Sequence, residues 1–311
     1  LRITVPMELQ EGYRELVSAI KQTSSTERSI AAGAESSWRW YEQWQSWLKA
    51  TLGVCFVERQ TFVPAGRSFF TSIGKAVTAF EHSGLLDPLT AAFGRQFAFL
   101  RERGSRTSLG SRRQLSSKDY VSPLYGVLGG RIVSERAGRD FVVSTDERKV
   151  PFSALSSGQQ EIIPLIAILE SLAPLRTGRQ LVYIEEPEAH LFPAAQSVLV
   201  EVLSAISNSQ ELRAQILLTT HSPYVLAKTN NLLKAGQIAS RLSPEHLPEL
   251  DEIIAARSRL AEGSVQAYAI RDGTCAPIVD DTGLIVADYL DEISGSIASE
   301  FSQLLDLEPT K

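Results

Sequence analysis

The chain has 311 residues, 43% hydrophobic and 22% charged, with a net charge of −5, a profile that fits one large or two modest globular domains. The acidic balance excludes a whole-surface nucleic-acid binder and leaves room only for a local basic patch. The two cysteines, Cys55 and Cys275, form neither a disulfide framework nor a zinc site, so a reducing, cytoplasmic setting is expected. The apolar runs Ile162–Leu169 and Ile216–Leu218 are too short to span a bilayer, so no membrane partner is expected.

The chain begins helical. Leu9, Tyr13, Leu16 and Ile20 have helix-compatible spacing over Glu8–Gln22, and all four tryptophans fall within Trp38–Trp47. Trp40, Trp44 and Trp47 share one helix face, which suits either a packing stripe or a partner-docking face. A strand is predicted at Val54–Val57, then a turn at Pro64-Ala65-Gly66. One or two helices follow over Phe69–Phe99, broken near Gly84 and Pro88. Arg101–Lys118 is rich in Arg, Ser and Gly and lacks aromatic residues. It reads as an exposed connector or a phosphate-contacting patch, not as a single-strand stacking platform. Val127–Val150, with Gly129 and Gly130, predicts a hairpin.

From Pro151 the pattern alternates helix, strand, helix, strand, the order of parallel strands with crossover helices. Ser243–Leu260 reads helical. Val265–Ile270 and Ala276–Val279 read as strands around Arg271-Asp272-Gly273, and Leu284–Leu307 as one or two helices.

Three segments carry the chemistry. Leu155-Ser156-Ser157-Gly158-Gln159-Gln160-Glu161 opens a helix with Ile162, Ile163, Ile166 and Leu169 on its apolar face. Exposed N–H groups and the helix dipole make such a start a ready anion site, although an ordinary helix cap looks the same. Leu181-Val182-Tyr183-Ile184 is a buried strand that delivers Glu185 and Glu186 at its C-terminal end, before Pro187. Adjacent strand residues point to opposite faces, so the two carboxylates should differ in task. One can reach Mg²⁺ and the other can orient or deprotonate a water. Gln215-Ile216-Leu217-Leu218 is a second buried strand, ending in Thr219-Thr220-His221-Ser222-Pro223. A histidine there can contact a terminal phosphate.

In this order and spacing, over Leu155–Tyr224, the segments resemble the ABC-type ATPases, and within them the RecF-, SMC- and OLD-like branch. Leu155–Glu161 resembles the signature motif and Leu181–Glu186 the Walker B strand. Glu188-Ala189-His190-Leu191-Phe192-Pro193 resembles the run that covers the D-loop, and Thr219–Pro223 the switch-histidine motif. Phe62–Ser68 is similar to an upstream segment of the same branch.

The resemblance implies an α/β P-loop NTPase of ABC-ATPase type, with a parallel-strand core, helices on both faces and a helical subdomain. Residues 1–150 would hold the remainder of the ATPase lobe, 151–235 the core with all three motifs, and 236–311 a C-terminal extension. ATP and Mg²⁺ are the implied cofactors. Glu185 would serve the metal, Glu186 would be the catalytic base and His221 the γ-phosphate switch. Ser156, Ser157, Gly158, Gln159 and His190 would form the nucleotide-contacting set. The signature would complete the ATP site of a second protomer, with DNA or an effector protein as further partners. Position 185 carries Glu where the family has Asp, one methylene longer.

The chain contains no G-x-x-x-x-G-K-S/T phosphate loop. Ile73-Gly74-Lys75-Ala76 lacks the first Gly and the hydroxyl residue. Either an N-terminal lobe precedes Leu1, which would leave part of the sheet unpaired, or the chain is a non-catalytic scaffold. Glu185, Glu186, Glu188 and His190 could alternatively form a metal-dependent nuclease centre. The stretch after Tyr224 is too short for a typical fused Toprim nuclease, so an effector nuclease would be another chain.

Overall fold

The computed structural model describes residues 11, 14, 18, 45–52, 56–73, 86–106, 117–135, 140–175, 178–286 and 299–304. Trp38, Trp40 and Trp44, Val54 and Cys55, the Gly74-Lys75 decoy, Gly84, residues 107–116 and most of Leu284–Leu307 lie outside them. Within Glu8–Gln22 the described Glu11, Arg14 and Ser18 are helical, and so are residues 45–52 and 299–304. The chain divides into two compact units, Leu1–Arg59 with Thr177–Arg179, and Gln60–Arg176 with Gln180–Lys311. The cores and the candidate site belong to the second.

Its centre is a β-α-β unit. Strand β5 (Arg179–Glu185) alternates, with Gln180, Val182 and Ile184 buried and Leu181, Tyr183 and Glu185 half-buried. This period of two gives the strand one fully packed face. Helix α5 (Pro193–Asn208) carries the chain back to strand β6 (Ala214–Thr219), which pairs parallel to β5 from Gln180↔Ala214 to Glu185↔Thr219. Strand β1 (Val57–Val63) flanks β5 on its other side, giving the order β1-β5-β6. The parallel strands expected after Pro151 are present. Of the predicted strand Val54–Val57 only Phe56 and Val57 are described; β1 takes up Val57 and runs on to Val63, where Thr61, Phe62 and Val63 supply β-branched and aromatic residues.

Helix α4 (Ser157–Ser171) is the central helix of the main core, buried continuously from Glu161 to Ile166 and again at Ile168 and Leu169. A helix apolar nearly all round is a core helix, not a surface one. Val182, Ile184, Leu199, Leu203 and Ala214 share this core, as do Phe70 of α1 (Ser68–Ile73) and Phe93 and Phe97 of α2 (Pro88–Arg106). A second core surrounds α6 (Pro223–Ala239), where Leu232 and Leu233 meet Leu250 of α7 (Leu247–Ile253), Leu260 and Ile285.

Three expectations need correction. The hairpin expected over Val127–Val150 is present but begins at Gly130: Gly129, with φ 78°, ends helix α3 (Lys118–Leu128), its N–H donating to the Tyr125 and Gly126 carbonyls, a left-handed helix stop. The following strands β2 (Gly130–Ser134), β3 (Asp140–Ser144) and β4 (Lys149–Pro151) form a three-stranded antiparallel sheet. The basic connector is not loop at either end. Arg101 continues α2, donates from Nε to Asp140 Oδ2 at 2.8 Å and lies over the Phe97 and Phe152 rings, 5.6 and 5.3 Å from their centroids. That cation-π and ion-pair seat makes it a core bracket instead of a phosphate contact.

The third concerns the C-terminal strands. Ser243–Leu260 breaks into two 3₁₀ turns around α7. The next hairpin is shorter than predicted, β7 (Tyr268–Arg271) with β8 (Thr274–Pro277). The two-residue Asp272-Gly273 turn sets that register, while Val265, Ala267, Ile278 and Val279 pack on the second core.

Candidate functional site

The paired ends of β5 and β6 bring Glu185 beside Thr219 in register, at the carboxyl edge where ligands bind in open α/β sheets. The two carboxylates diverge there, as their adjacent positions require. Glu185 Oε2 accepts from the Ala65 N–H at 3.1 Å. Glu186 leaves the strand with φ 40°, and its N–H donates to the Thr219 carbonyl at 3.0 Å. Its Oε1 lies 4.0 Å from His221 Nε2, with the two side chains 45% and 88% exposed. That separation is too long for a direct hydrogen bond, so both polar tips keep capacity for a third group.

Arg67 fixes this edge from beneath. It is fully buried, and its Nη1 donates to the carbonyls of Pro64 at 3.3 Å and Glu185 at 3.1 Å. Nη2 donates to Pro187 at 3.0 Å, and both Nη atoms lie 3.4 Å from the Glu186 carbonyl. Its Nε reaches the Glu161 carbonyl at 3.0 Å and lies 3.5 Å from Glu161 Oε2. Burial pushes the guanidinium pKa below its ordinary value, while the charges of Glu161, Glu188 and Glu186 act in the opposite sense. One side chain thus ties the turn after β1, the end of β5 and helix α4 together.

The turn after β5 is closed by the Ala189 N–H donating to Glu186 at 3.0 Å and the Leu191 N–H to Glu188 at 2.9 Å. His190 is exposed and adopts φ 59°. Glu188 points the other way, into the protein, where its Oε1 accepts from the Thr220 hydroxyl at 2.5 Å and the His221 N–H at 3.1 Å. Ser222 caps α6 by accepting from the Val225 N–H, and its hydroxyl donates to Gln196 at 2.6 Å.

At the start of α4, Ser156 is the N-cap in a reciprocal capping box. Its hydroxyl accepts from the Gln159 N–H at 3.3 Å, and Gln159 Oε1 accepts from the Ser156 N–H at 3.1 Å. Gln159 Nε2 also donates to the Leu128 carbonyl at 2.8 Å, so this side chain is largely committed to local structure. Ser157 is exposed and sits where first-turn N–H groups have no intrahelical acceptor. Gly158 abuts the post-β5 turn: a Cβ there would lie 2.7 Å from the His190 carbonyl oxygen.

The structure therefore joins the segments through their backbones, by Arg67 and by the Gly158–His190 contact. It does not gather Glu185, Glu186, Glu188 and His190 into one cage. Glu185 faces Ala65 and Glu188 faces Thr220 and His221. Among the described residues no group of three or more His, Cys, Asp or Glu could hold a metal ion by itself. A Mg²⁺ ion bound through one carboxylate, waters and phosphate oxygens does fit the donor set, because Glu185 is a half-buried strand-end carboxylate with one oxygen oriented by Ala65. Sequence reasoning assigned no role to Arg67, Thr220 or the inward turn of Glu188. The signal for Arg67 was its place in Phe62–Ser68.

A family model described as "AAA domain, putative AbiEii toxin, Type IV TA system" matches residues 34–227, more than half of the chain and all of the site. No curated protein matches. The mixed α/β architecture with its parallel strand pair is that of a P-loop NTPase, and the domain type is that of nucleotide-binding ATPases. Among the described residues no helix is long and apolar enough to cross a membrane.

Proposed function

The chain belongs to this AAA-domain family, and from that premise we propose that it is part of an ATP-hydrolysing head of the ABC-type, RecF-, SMC- and OLD-like branch. Glu186 is the base that orients and deprotonates the attacking water, and His221 contacts the γ-phosphate. Glu185 would hold Mg²⁺, which would neutralise charge on the phosphates. The exposed N-terminus of α4, with Ser156, Ser157 and Gly158, offers N–H groups to nucleotide on a second protomer. His190 lies beside it, while Gln159 shapes that end through its cap.

The observation that carries this reading is the strand-end pair. Glu185 and Thr219 are in register, and Glu186 and His221 present polar tips 4.0 Å apart on the open side. With no phosphate loop among these 311 residues, the cradle is assigned to a further segment or chain. ATP closes a dimer and hydrolysis reopens it, in the cytoplasm, to drive a partner effector or work on DNA. The family description, "putative AbiEii toxin, Type IV TA system", supports a toxin–antitoxin setting for that effector.

The test is ATP turnover by the whole encoded protein, wild type against Glu186→Gln. Removing the base should lower kcat by about 100-fold or more, within the range general-base catalysis supplies, while ATP-dependent dimerisation persists. No turnover by the wild type, with or without DNA and the partner chain, sinks the catalytic reading and favours a non-catalytic scaffold, the alternative suggested by the missing phosphate loop.

A further inference from the structure

Glu188 is a buried acid at this site that the proposed reaction does not use. It is 9% exposed, and Oε2 has no hydrogen-bond partner among the described residues. Both hydrogen bonds to Oε1 come from the β6 exit, the Thr220 hydroxyl and the His221 N–H. Thr220 Oγ1 also accepts from the Ser222 N–H at 3.0 Å, so this segment is braced around one carboxylate. Arg67 attracts Glu188 through space, but its own hydrogen bonds go to main-chain carbonyls.

Burying a carboxylate is costly, and a half-satisfied one more so. Bonds to an ionised acceptor are also about twice as strong as neutral ones. The His221 ring, in contrast, is 88% exposed and 4.0 Å from Glu186. Its position depends on its main chain, and Glu188 grips that main chain directly. Glu188 also stands in the turn whose other end, the His190 carbonyl, abuts Gly158 at the start of α4.

We propose that Glu188 is the positioning residue that ties His221 to the turn after β5, so that displacement of the histidine by a terminal phosphate is passed to the N-terminus of α4. This rests on the ATPase reading above, and the experiment separates the two. The first arm needs no nucleotide: amide hydrogen exchange at His221 in the folded protein. Glu188→Ala should speed exchange about tenfold or more, the loss of one charge-assisted bond, whereas Glu188→Gln, which keeps an acceptor, should stay within about threefold of wild type. If Glu188→Ala does not fold, Glu188→Met, similar in length without an acceptor, takes its place. Unchanged exchange in the acceptor-free variant overturns the proposal.

The second arm is a turnover cycle with Glu188→Ala, His221→Ala and the double variant. Glu188→Ala should lower kcat on the order of tenfold to 100-fold with KM nearly unchanged, and the double variant should be no slower than His221→Ala within about twofold. Losses that multiply mean that Glu188 does not act through His221, and overturn the proposal. A wild type without turnover sinks the ATPase reading and with it the relay to phosphate, while the exchange arm still decides whether Glu188 holds His221.

Discussion

Two turns in this molecule place a non-glycine residue at positive φ for opposite reasons. In the β7–β8 hairpin, Asp272 has φ 49° and Gly273 φ 74°, the values that a two-residue Asp-Gly turn demands and that Asp and Gly tolerate best. Every residue of β8 and most of β7 is exposed, so the turn's own chemistry is enough. After β5, Glu186 has φ 40° and His190 φ 59°, and no turn rule asks for a glutamate there. The strain is held by tertiary contacts: Arg67 on the carbonyls of residues 185–187 and Thr219 on the Glu186 N–H. Where a sequence favours a turn locally, little scaffolding is needed. Where chemistry requires a residue that backbone sterics disfavour, the surroundings must impose it.

The widest break in this contrast comes from Arg67→Met. It leaves the Glu161 and Glu188 carboxylates without their buried counter-charge and removes the side chain's six hydrogen bonds to five main-chain carbonyls. Breaking one side of a buried charge arrangement costs about 3–5 kcal/mol, so urea unfolding should show a loss of that order. Adding Glu161→Leu should recover part of it, because removing both partners of a buried pair is far milder than removing one. No comparable loss is available in the hairpin, where no such hub exists.

A smaller break is Gly158→Ala. The added methyl meets the His190 carbonyl, backbone that cannot swing aside as a flexible side chain would. Overpacking of this kind costs about 1–3 kcal/mol, and thermal melts should show it. The same change should loosen the turn after β5, read as faster exchange at the Leu191 N–H, which donates to Glu188. An alanine variant as stable as wild type would remove Gly158–His190 as a link between α4 and the strand end.

What the sequence made legible follows the same division. The Ser156 cap and α4, the two strands ending in acidic and histidine segments, and the Asp272-Gly273 turn are encoded within a few residues, and each appears close to where its pattern placed it. Arg67 grips residues about 120 positions away, Glu188 reaches Thr220 and His221 across 32 and 33 positions, and Arg101 meets Asp140 across 39. Such partners leave no periodicity to read. The hairpin expected over Val127–Val150 shows the converse: its strands are present from Gly130 on, but Gly129 signals positive φ without saying that a helix stop, not a strand turn, uses it.

The finest test exchanges the strained residue itself. Glu186→Gly removes the Cβ that disfavours φ 40°, and relief of a strained left-handed residue is worth about 1 kcal/mol or more. Gly also raises the entropy of the unfolded chain, which takes back part of that gain. Asp272→Gly pits the same entropy against a residue already suited to its turn, so it should be neutral or slightly destabilising. Measured by urea unfolding in parallel, Glu186→Gly should gain stability relative to Asp272→Gly by a few tenths to about 1 kcal/mol. The inverse order would mean that Glu186 is not held against its preference, and that Arg67 stabilises the strand end without storing strain there.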